Sequence, residues 1–402
     1  MSNYALIIDI GTTTVSGAII DIGKSKVLIS DSVLNEQIDF GDNVISRIDF
    51  TLKKTDNLRV LQSAAFSSIN KLLQRLTGAI NLKKKDIKEV FCVSNTAMHH
   101  LFLGIDASPL ITPPYKTTQK GEVVIYAGKT DIKLKNSCPI TFLPNIGGFV
   151  GSDALAVIFA SGIYSSVEHR LVVDIGTNGE IIVGNKQKLF VASTAAGPAF
   201  EASHISCGMP AKKGAIESIK SKRGGIRFKV IGGGLPKGIC GSGLIDAVAY
   251  MLEAGIISSS GRITNGSEFI LYKKGKSKIS ITQEDIRKVQ VAKAAISAAI
   301  KTLLKKSGKY DIKEAVVTGN FGNTLNADSV VNIGIIPKAV RPGTRFLKNG
   351  ALEGLRLYVT EPSLRDRLDS ILGNIKHLPL FGKGFAREFI SSLSLGPIPQ
   401  IY

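Results

Sequence analysis

Two short segments of the chain combine residue types that suit phosphate binding. The first reads DIGTTT from residue 9 and the second DIGTNG from residue 174, and apolar runs flank both. Glycine lets a turn approach an anion closely, and the backbone N–H groups and hydroxyls of the turn can donate hydrogen bonds to phosphate oxygens. We therefore predict that both turns bind the phosphates of a nucleotide, through Gly11, Thr12, Thr13, Thr14, Gly176, Thr177, Asn178 and Gly179.

Each segment also carries an aspartate where its first strand should end. A carboxylate repels phosphate, so Asp9 and Asp174 are expected to act through a divalent cation. Mg²⁺ keeps several of its waters and takes one or two carboxylates in addition to phosphate oxygens. The sequence therefore predicts Asp9 and Asp174 as magnesium ligands that take part in catalysis.

A third aspartate, Asp153, precedes the second segment at the glycine-rich start of a predicted helix. We predict that Asp153 orients or deprotonates the attacking water, and the alternative is that it only caps the helix. Glu180 and Glu201 are weaker candidates for the same role. The adjacent histidines at 99 and 100 lack a matching carboxylate or cysteine pattern, which favours structural hydrogen bonding over metal binding.

Two further glycine-rich segments suit an adenosine. A short apolar strand over residues 315–318 ends in Gly319, Asn320 and Phe321, where small residues let the backbone lie flat against a base. Gly241, Ser242 and Gly243 begin an amphipathic helix and are predicted to line the same pocket.

The surrounding elements alternate between strands and helices, which indicates an α/β fold. Helical periodicity covers residues 57–77, a buried strand is expected over 86–94, and Thr282 is a predicted N-cap for a helix over 283–306. The near-repeat of the strand–turn–strand segment suggests two similar lobes around a nucleotide cleft. We expect lobe I at 1–160, lobe II at 161–360 and a helical tail at 361–402 that packs on a lobe.

Composition narrows the function classes. No apolar run reaches the length that spans a bilayer and no signal-peptide pattern precedes the first strand, so we expect a cytoplasmic protein.

The formal net charge is +19, but the lysines are scattered and aromatic residues are sparse, which disfavours binding to nucleic acid. The alternatives are a solvated lysine-rich surface or a basic face for an acidic protein. Four widely spaced cysteines disfavour a disulfide framework or a local metal cluster, although Cys207 and Cys240 could meet, for example across a homodimer.

Seven stretches spread along the chain resemble one branch of the actin-like ATPases, the reductive activators of corrinoid proteins. They are FGDNVISRI (40–48), SNTAMHH (94–100), DIGTNGE (174–180), AGPAFE (196–201), HISCGM (204–209), GICGSG (238–243) and TGNFG (318–322). The resemblance implies an actin-like (ribonuclease H-like) ATPase fold that binds ATP and Mg²⁺. It also implies a partner, a corrinoid protein whose cobalt is taken from Co(II) to Co(I) at the expense of ATP.

Members of that branch usually begin with a ferredoxin-like domain, whereas this sequence starts at the first phosphate segment. We therefore expect either that a separate iron–sulfur protein supplies the electron, or that this protein uses ATP for a different conformational task on a related partner. Two other functions stay open at this point. Sugar kinases share the fold, so a small-molecule kinase would use an aspartate near Asp153 as its base. A non-catalytic actin-like scaffold would bind nucleotide without hydrolysing it.

Overall fold

The computed structural model describes residues 3–113, 115–222, 225–308, 311–312, 314–319 and 325–398. The chain folds into two compact units. The first comprises Met1–Tyr164 and Asn349–His377, and the second comprises Ser165–Lys348 and Leu378–Tyr402. Residues 349–360, expected in the second lobe, thus belong to the first unit, and the expected tail at 361–402 divides between the two.

The strands are β1 (Tyr4–Ile10), β2 (Thr14–Asp21), β3 (Lys26–Leu34), β4 (Ile87–Ser94), β5 (Val123–Tyr126), β6 (Pro139–Phe142), β7 (Arg170–Ile175), β8 (Asn178–Asn185), β9 (Lys188–Ala195), β10 (Ala215–Lys222), β11 (Gly225–Val230), β12 (Gly238–Ile239), β13 (Glu268–Lys274), β14 (Ser277–Thr282), β15 (Glu314–Gly319), β16 (Thr344–Lys348) and β17 (Ile375–His377). The α-helices are α1 (Val44–Lys53), α2 (Asn57–Ala79), α3 (Thr96–Leu103), α4 (Ser108–Ile111), α5 (Ser152–Ser161), α6 (Gly241–Glu253), α7 (Gln283–Ser307), α8 (Ala327–Asn332), α9 (Gly350–Thr360), α10 (Pro362–Asp366), α11 (Leu368–Gly373) and α12 (Gly382–Ser391). Short 3₁₀ helices cover Ile22–Lys24, Glu36–Phe40, Lys84–Asp86, Ala127–Lys129, Ile163–Ser165, Pro198–Glu201 and Lys338–Gly343.

The first unit is built on a six-stranded sheet in the order β3-β2-β1-β4-β6-β5. Strand β1 pairs antiparallel with β2 and parallel with β4, so Ile10 lies opposite Ser94 at the end of both strands. Strand β1 is a nearly continuous buried apolar run, as expected when helices cover both faces of a sheet. Helix α2 confirms the helical periodicity predicted for 57–77, and its buried residues recur at helical spacing.

Helix α9 explains why residues after 348 return to the first unit. It packs along α5 so closely that a Cβ at Gly354 would lie 1.7 Å from the carbonyl oxygen of Ala156. Only glycine permits this approach of two helix backbones. The two helices lie about 200 residues apart in sequence, so local periodicity gave no sign of their contact.

The second unit is also built on a sheet, whose strands include β16-β15-β7-β8-β9 in that order. Strands β7 and β8 form the second hairpin, and α7 packs on β8 and β9. Thr282 begins α7 with a capping box, in which its hydroxyl accepts from the Asp285 N–H and the Asp285 carboxylate accepts from the Thr282 N–H. The predicted N-cap is confirmed. Within the described ranges, each helix is too short or too polar to span a bilayer.

Candidate active site

The first hairpin closes over a tight turn between β1 and β2. Asp9 lies opposite Ser16, and the Gly11 N–H donates to the Thr14 carbonyl oxygen at 3.0 Å. A Cβ at position 11 would lie 2.7 Å from that same oxygen, so the turn requires glycine there. The structure therefore gathers Gly11, Thr12 and Thr13 in one turn, with Asp9 on the strand just before it.

Buried donors hold three successive carbonyl groups of this turn. Gly11 O accepts from Asn35 Nδ2 at 2.8 Å, Thr12 O from Arg47 Nη2 at 2.6 Å, and Thr13 O from the Asn35 N–H at 2.9 Å. Asn35 and Arg47 are fully buried. Because the C=O and N–H of a trans peptide point in opposite directions, the Thr12 and Thr13 N–H groups point away from these donors. This geometry suits a turn that presents N–H groups to an anion.

The Thr12 side chain is also oriented. Its hydroxyl oxygen accepts from Asn95 Nδ2 at 3.0 Å, and Asn95 caps α3 by accepting from the Met98 N–H. Thr12 therefore receives a hydrogen bond through its oxygen, which directs its own O–H as a donor elsewhere.

The second hairpin is supported differently. The Gly176 N–H donates to the Asn178 carbonyl at 3.0 Å, and the Thr177 carbonyl accepts from the Gly197 N–H at 2.8 Å. The Thr177 hydroxyl donates to Glu201 Oε2 at 3.0 Å. Glu201, a weak candidate for base from the sequence, is thus a carboxylate that orients the predicted phosphate turn. Glu180, which lies opposite Asp174, is buried and accepts from the Ser193 hydroxyl at 3.1 Å.

Asp153 lies in the first turn of α5, but it does not cap that helix. The N-cap is Gly151, so the capping alternative is wrong. Ser152 joins the helix to the sheet, because its hydroxyl accepts from the Ser94 N–H at 3.1 Å. Since Ser94 lies opposite Ile10, Asp153 and the first turn lie at the same edge of the sheet.

The carboxyl group of Asp153 has an unusual proton affinity. Burial raises its pKa to about 6, although Oδ1 accepts from the Ala154 N–H at 2.7 Å, which by itself would lower the pKa. Asp153 as a whole residue is half-buried. A carboxyl with a pKa close to neutrality can both take and return a proton near pH 7.

The glycine-rich start of α6 packs against the small sheet of the second unit. The Ser242 hydroxyl donates to the Glu217 carbonyl at 2.7 Å, and a Cβ at Gly243 would lie 2.3 Å from the Ile216 carbonyl oxygen. Gly241 is buried at the first position of the helix. These three residues therefore position α6, and their predicted role toward nucleotide stays a prediction.

One turn further along α6, Asp246 lines a cavity of about 820 Å³ together with Lys220, Arg227 and Asn326. Asp246 is 3% exposed, and its Oδ2 accepts from the Ile219 N–H at 3.0 Å. Burial raises the pKa of its carboxyl, although hydrogen bonds from Ser329 and from the Ile219 N–H act in the opposite direction.

The predicted adenosine segment is described only as far as Gly319. Gly319 ends β15 with a φ of 139°, in the region that favours glycine. Asn320 and Phe321 lie outside the described residues. The structure resumes at Leu325, which lines the cavity with Asn326.

His99 and His100 have structural hydrogen-bond partners. His100 Nδ1 bonds to the Thr96 carbonyl at 2.8 Å, and buried His99 contacts Asn145 Nδ2 through Nδ1. Burial lowers the pKa of His99 to about 3, so the ring is neutral. Across the described ranges, no three His, Cys, Asp or Glu side chains converge on a common point, and all four cysteines are free thiols.

The repeated hairpin on two α/β units defines the ASKHA actin-like fold expected from the sequence. Residues 168–398 match the family described as the C-terminal domain of RACo, the ASKHA domain, and residues 4–166 match the RACo middle region. The chain therefore belongs to the RACo family, which confirms the resemblance found in its sequence.

Relatives and a solved structure agree with this assignment. The chain is 35% identical over 381 residues to the corrinoid activation enzyme RamQ of Eubacterium limosum, covering 89% of this chain and 64% of that protein. It is 26% identical over 405 residues to the Co(II) methylated amine-specific corrinoid protein reductase of Methanosarcina barkeri, covering 92% and 72%. The solved reductive activator for corrinoid, iron–sulfur protein superposes with a TM-score of 0.93 at 34% identity, covering 98% of this chain and 66% of that one. The chain thus spans slightly less than two thirds of the length of RamQ and of the solved activator.

The residues beneath the first turn were not predicted from the sequence. Asn35, Arg47 and Asn95 contact it from 24, 35 and 83 residues away in the chain. Two of them fall in stretches that carried the family resemblance, but no local pattern indicated what they contact. A single arginine on an otherwise apolar helix face was the available signal.

Proposed function

We propose that this chain binds and hydrolyses Mg·ATP and uses it to activate a corrinoid protein, whose cobalt is reduced from Co(II) to Co(I). The observation that carries the nucleotide half of the proposal is the first turn, whose Gly11, Thr12 and Thr13 carbonyls are all held by buried donors. A loop fixed in this way presents its N–H groups to phosphate without reorganisation, which favours anion binding.

In this proposal each hairpin supplies groups to the phosphates of ATP. Thr12, Thr13 and Thr14 act from the first unit, and Thr177, Asn178 and Gly179 from the second. Asp9 and Asp174 hold the magnesium ion, partly through its waters, which neutralises phosphate charge.

Asp153 is the proposed general base or water-orienting group. Its place beside the first turn, its partial exposure and its pKa of about 6 support this role. Positioning and electrostatic stabilisation supply most of the catalysis of phosphoryl transfer, so the aspartate adds to a site that the turns have already organised.

The adenosine end is proposed to occupy the cavity beside Asp246. The cavity is lined by Asp246 of α6, the helix that begins at Gly241, and by Leu325 and Asn326, and the Asp246 carboxylate can accept from an amino group of a base. The Asp246→Asn variant tests this part. It should bind ATP more weakly and discriminate less between ATP and GTP, and an unchanged preference would remove the cavity from the proposal.

The proposed activation of a corrinoid protein rests on family membership. One relative is named a corrinoid activation enzyme and another a reductase of a corrinoid protein. Taking Co(II) to Co(I) consumes one electron, and we propose an iron–sulfur protein as its donor. Association as a homodimer is also proposed, and light scattering during size-exclusion chromatography tests it.

The test combines purified chain, Mg·ATP, a corrinoid methyl-transfer protein and a chemical reductant. We expect the partner to raise ATP turnover, and the cobalt absorption spectrum to change to that of Co(I) only when ATP is present. If the corrinoid protein does not raise ATP turnover and ATP does not change the cobalt spectrum, the corrinoid assignment is wrong. Release of ADP that depends instead on a small metabolite would favour a kinase of the sugar-kinase type.

A further inference from the structure

Arg47 is a fully buried arginine directly beneath the first turn. It lies on α1 and is among the largest side chains of the chain with almost no exposed surface. Its Nη2 donates to the Thr12 carbonyl at 2.6 Å and its Nε to the Gly41 carbonyl at 2.8 Å. Its Nη1 lies 3.2 Å from Gln37 Oε1 and also 3.2 Å from Met98 Sδ. All of these partners are neutral.

The buried charge of Arg47 is therefore weakly compensated. Burial lowers its pKa to about 10, so the guanidinium stays charged at neutral pH. In the described part of the chain no carboxylate forms an ion pair with it. The carboxylate that acts on it through space is Asp42, which is exposed and accepts from Asn43 and Ser46. A buried cation without a close anion lowers the stability of the folded state. A residue of this kind is expected to have a function that offsets this loss of stability.

The charge of Arg47 lies next to a peptide group of the predicted phosphate turn. Arg47 donates to the Thr12 carbonyl, and the N–H of the same peptide belongs to Thr13 in the predicted phosphate turn. A charged donor on a carbonyl polarises the peptide and strengthens the N–H as a donor on its other side. The positive charge of Arg47 can thus act on an anion at the turn without touching it.

We propose that Arg47 is a positioning residue for polyphosphate, whose buried charge is compensated by the phosphates that bind at the first turn. This inference rests on the proposed ATP binding and adds that affinity depends on phosphate charge through a residue outside direct contact. The contribution of Arg47 should therefore grow from adenosine, which has no phosphate, through ADP to ATP.

The test measures dissociation constants by calorimetry for adenosine, ADP and ATP, and the rise in melting temperature that saturating ATP causes. Arg47→Met keeps the length of the side chain and removes its charge, whereas Arg47→Lys keeps the charge. Arg59→Met, at an exposed position on α2, is the matched control for net charge.

We expect Arg47→Met to weaken ATP binding about tenfold or more, ADP less, and adenosine little. Its melting temperature should respond less to ATP than that of the wild type. Arg47→Lys should keep most of the preference for ATP over adenosine, and Arg59→Met should match the wild type.

Two results would overturn the proposal. One is an Arg47→Met protein whose melting temperature falls equally with and without ATP while its affinities stay unchanged, because Arg47 would then only support the fold. If Arg47→Met does not fold, a folded Arg47→Lys protein that has lost the preference for ATP over adenosine overturns it too. A wild-type chain that binds adenosine and ATP equally would instead refute the proposed function.

Discussion

Replacing Asp153 by asparagine should make the protein more stable and less active at the same time. The substitution keeps the size of the side chain, and the amide oxygen can still accept from the Ala154 N–H. It removes a carboxyl group whose pKa burial raises to about 6. The variant therefore removes a buried charge and, in the proposed mechanism, the group that activates water.

The size of the stability change follows from the shift in pKa. The folded pKa of about 6 lies above the ordinary aspartate pKa of 3.8, and the difference corresponds to roughly 3 kcal/mol. Because the folded state holds this proton more tightly, the carboxyl costs no stability below pH 3.8. It costs progressively more as the pH rises to 6, and a constant amount above that. The advantage of the variant should grow by roughly 2 kcal/mol between pH 4.5 and 8.

The assay is urea unfolding of Asp153→Asn and wild type over that pH range, with Asp49→Asn as the control. Asp49 lies on α1 in the same unit and is exposed. We expect the unfolding curves to diverge with rising pH for Asp153→Asn only. ATP turnover should fall about a hundredfold or more, as loss of a general base predicts.

A stability difference that is flat with pH would show that the environment of Asp153 does not disfavour its charged form. Turnover within about threefold of the wild type would exclude the aspartate as base and leave the catalysis to the two turns. Either result would refute the physical reasoning given for this residue.

Three further predictions concern the elements around the site. Gly151→Ala places a Cβ 2.1 Å from the Ser94 carbonyl oxygen, so the free energy of unfolding in urea should fall by roughly 1–3 kcal/mol and ATP turnover should fall. Gly78→Ala, which has open space around its Cβ, is the control. Equal stability of the two variants would contradict the close packing at Gly151. Asp9→Ala or Asp174→Ala should abolish magnesium-dependent turnover with the circular dichroism spectrum preserved, and wild-type turnover in both would remove the metal assignment. Lys293→Met removes the Nζ donor to the Ser392 and Ser394 carbonyl oxygens, at 2.7 and 2.6 Å. The free energy of unfolding should therefore fall by roughly 2–3 kcal/mol in a thermal melt, and proteolysis should start in the C-terminal tail. A tail as resistant to protease as that of the wild type would refute the anchoring role of Lys293.

The sequence was sufficient wherever the signal was local. The Asp-x-Gly-Thr segments predicted both hairpins, because a turn requires particular residues at adjacent positions. Thr282 predicted the start of α7, since a capping box lies within four residues. Family membership was also predictable, because the characteristic stretches are short and lie in order along the chain.

The signals that failed depend on contacts between distant segments. Arg47 reaches Thr12 across 35 residues, and Gly354 reaches Ala156 across about 200, so neither contact leaves a periodic pattern. The raised pKa of Asp153 likewise depends on the burial that the folded unit creates around it. Packing of this kind is a property of the folded unit, and a sequence read segment by segment does not contain it.

ATP turnover by this chain should be coupled to the reduction of a corrinoid protein. The most direct measurement follows cobalt absorbance of a reductant-poised corrinoid protein while ATP hydrolysis is recorded in the same cuvette. We expect Co(I) to appear with ATP, to be absent with a non-hydrolysable analogue, and to be absent with the Asp9→Ala variant. Hydrolysis at an unchanged rate with no change in the cobalt spectrum would contradict it.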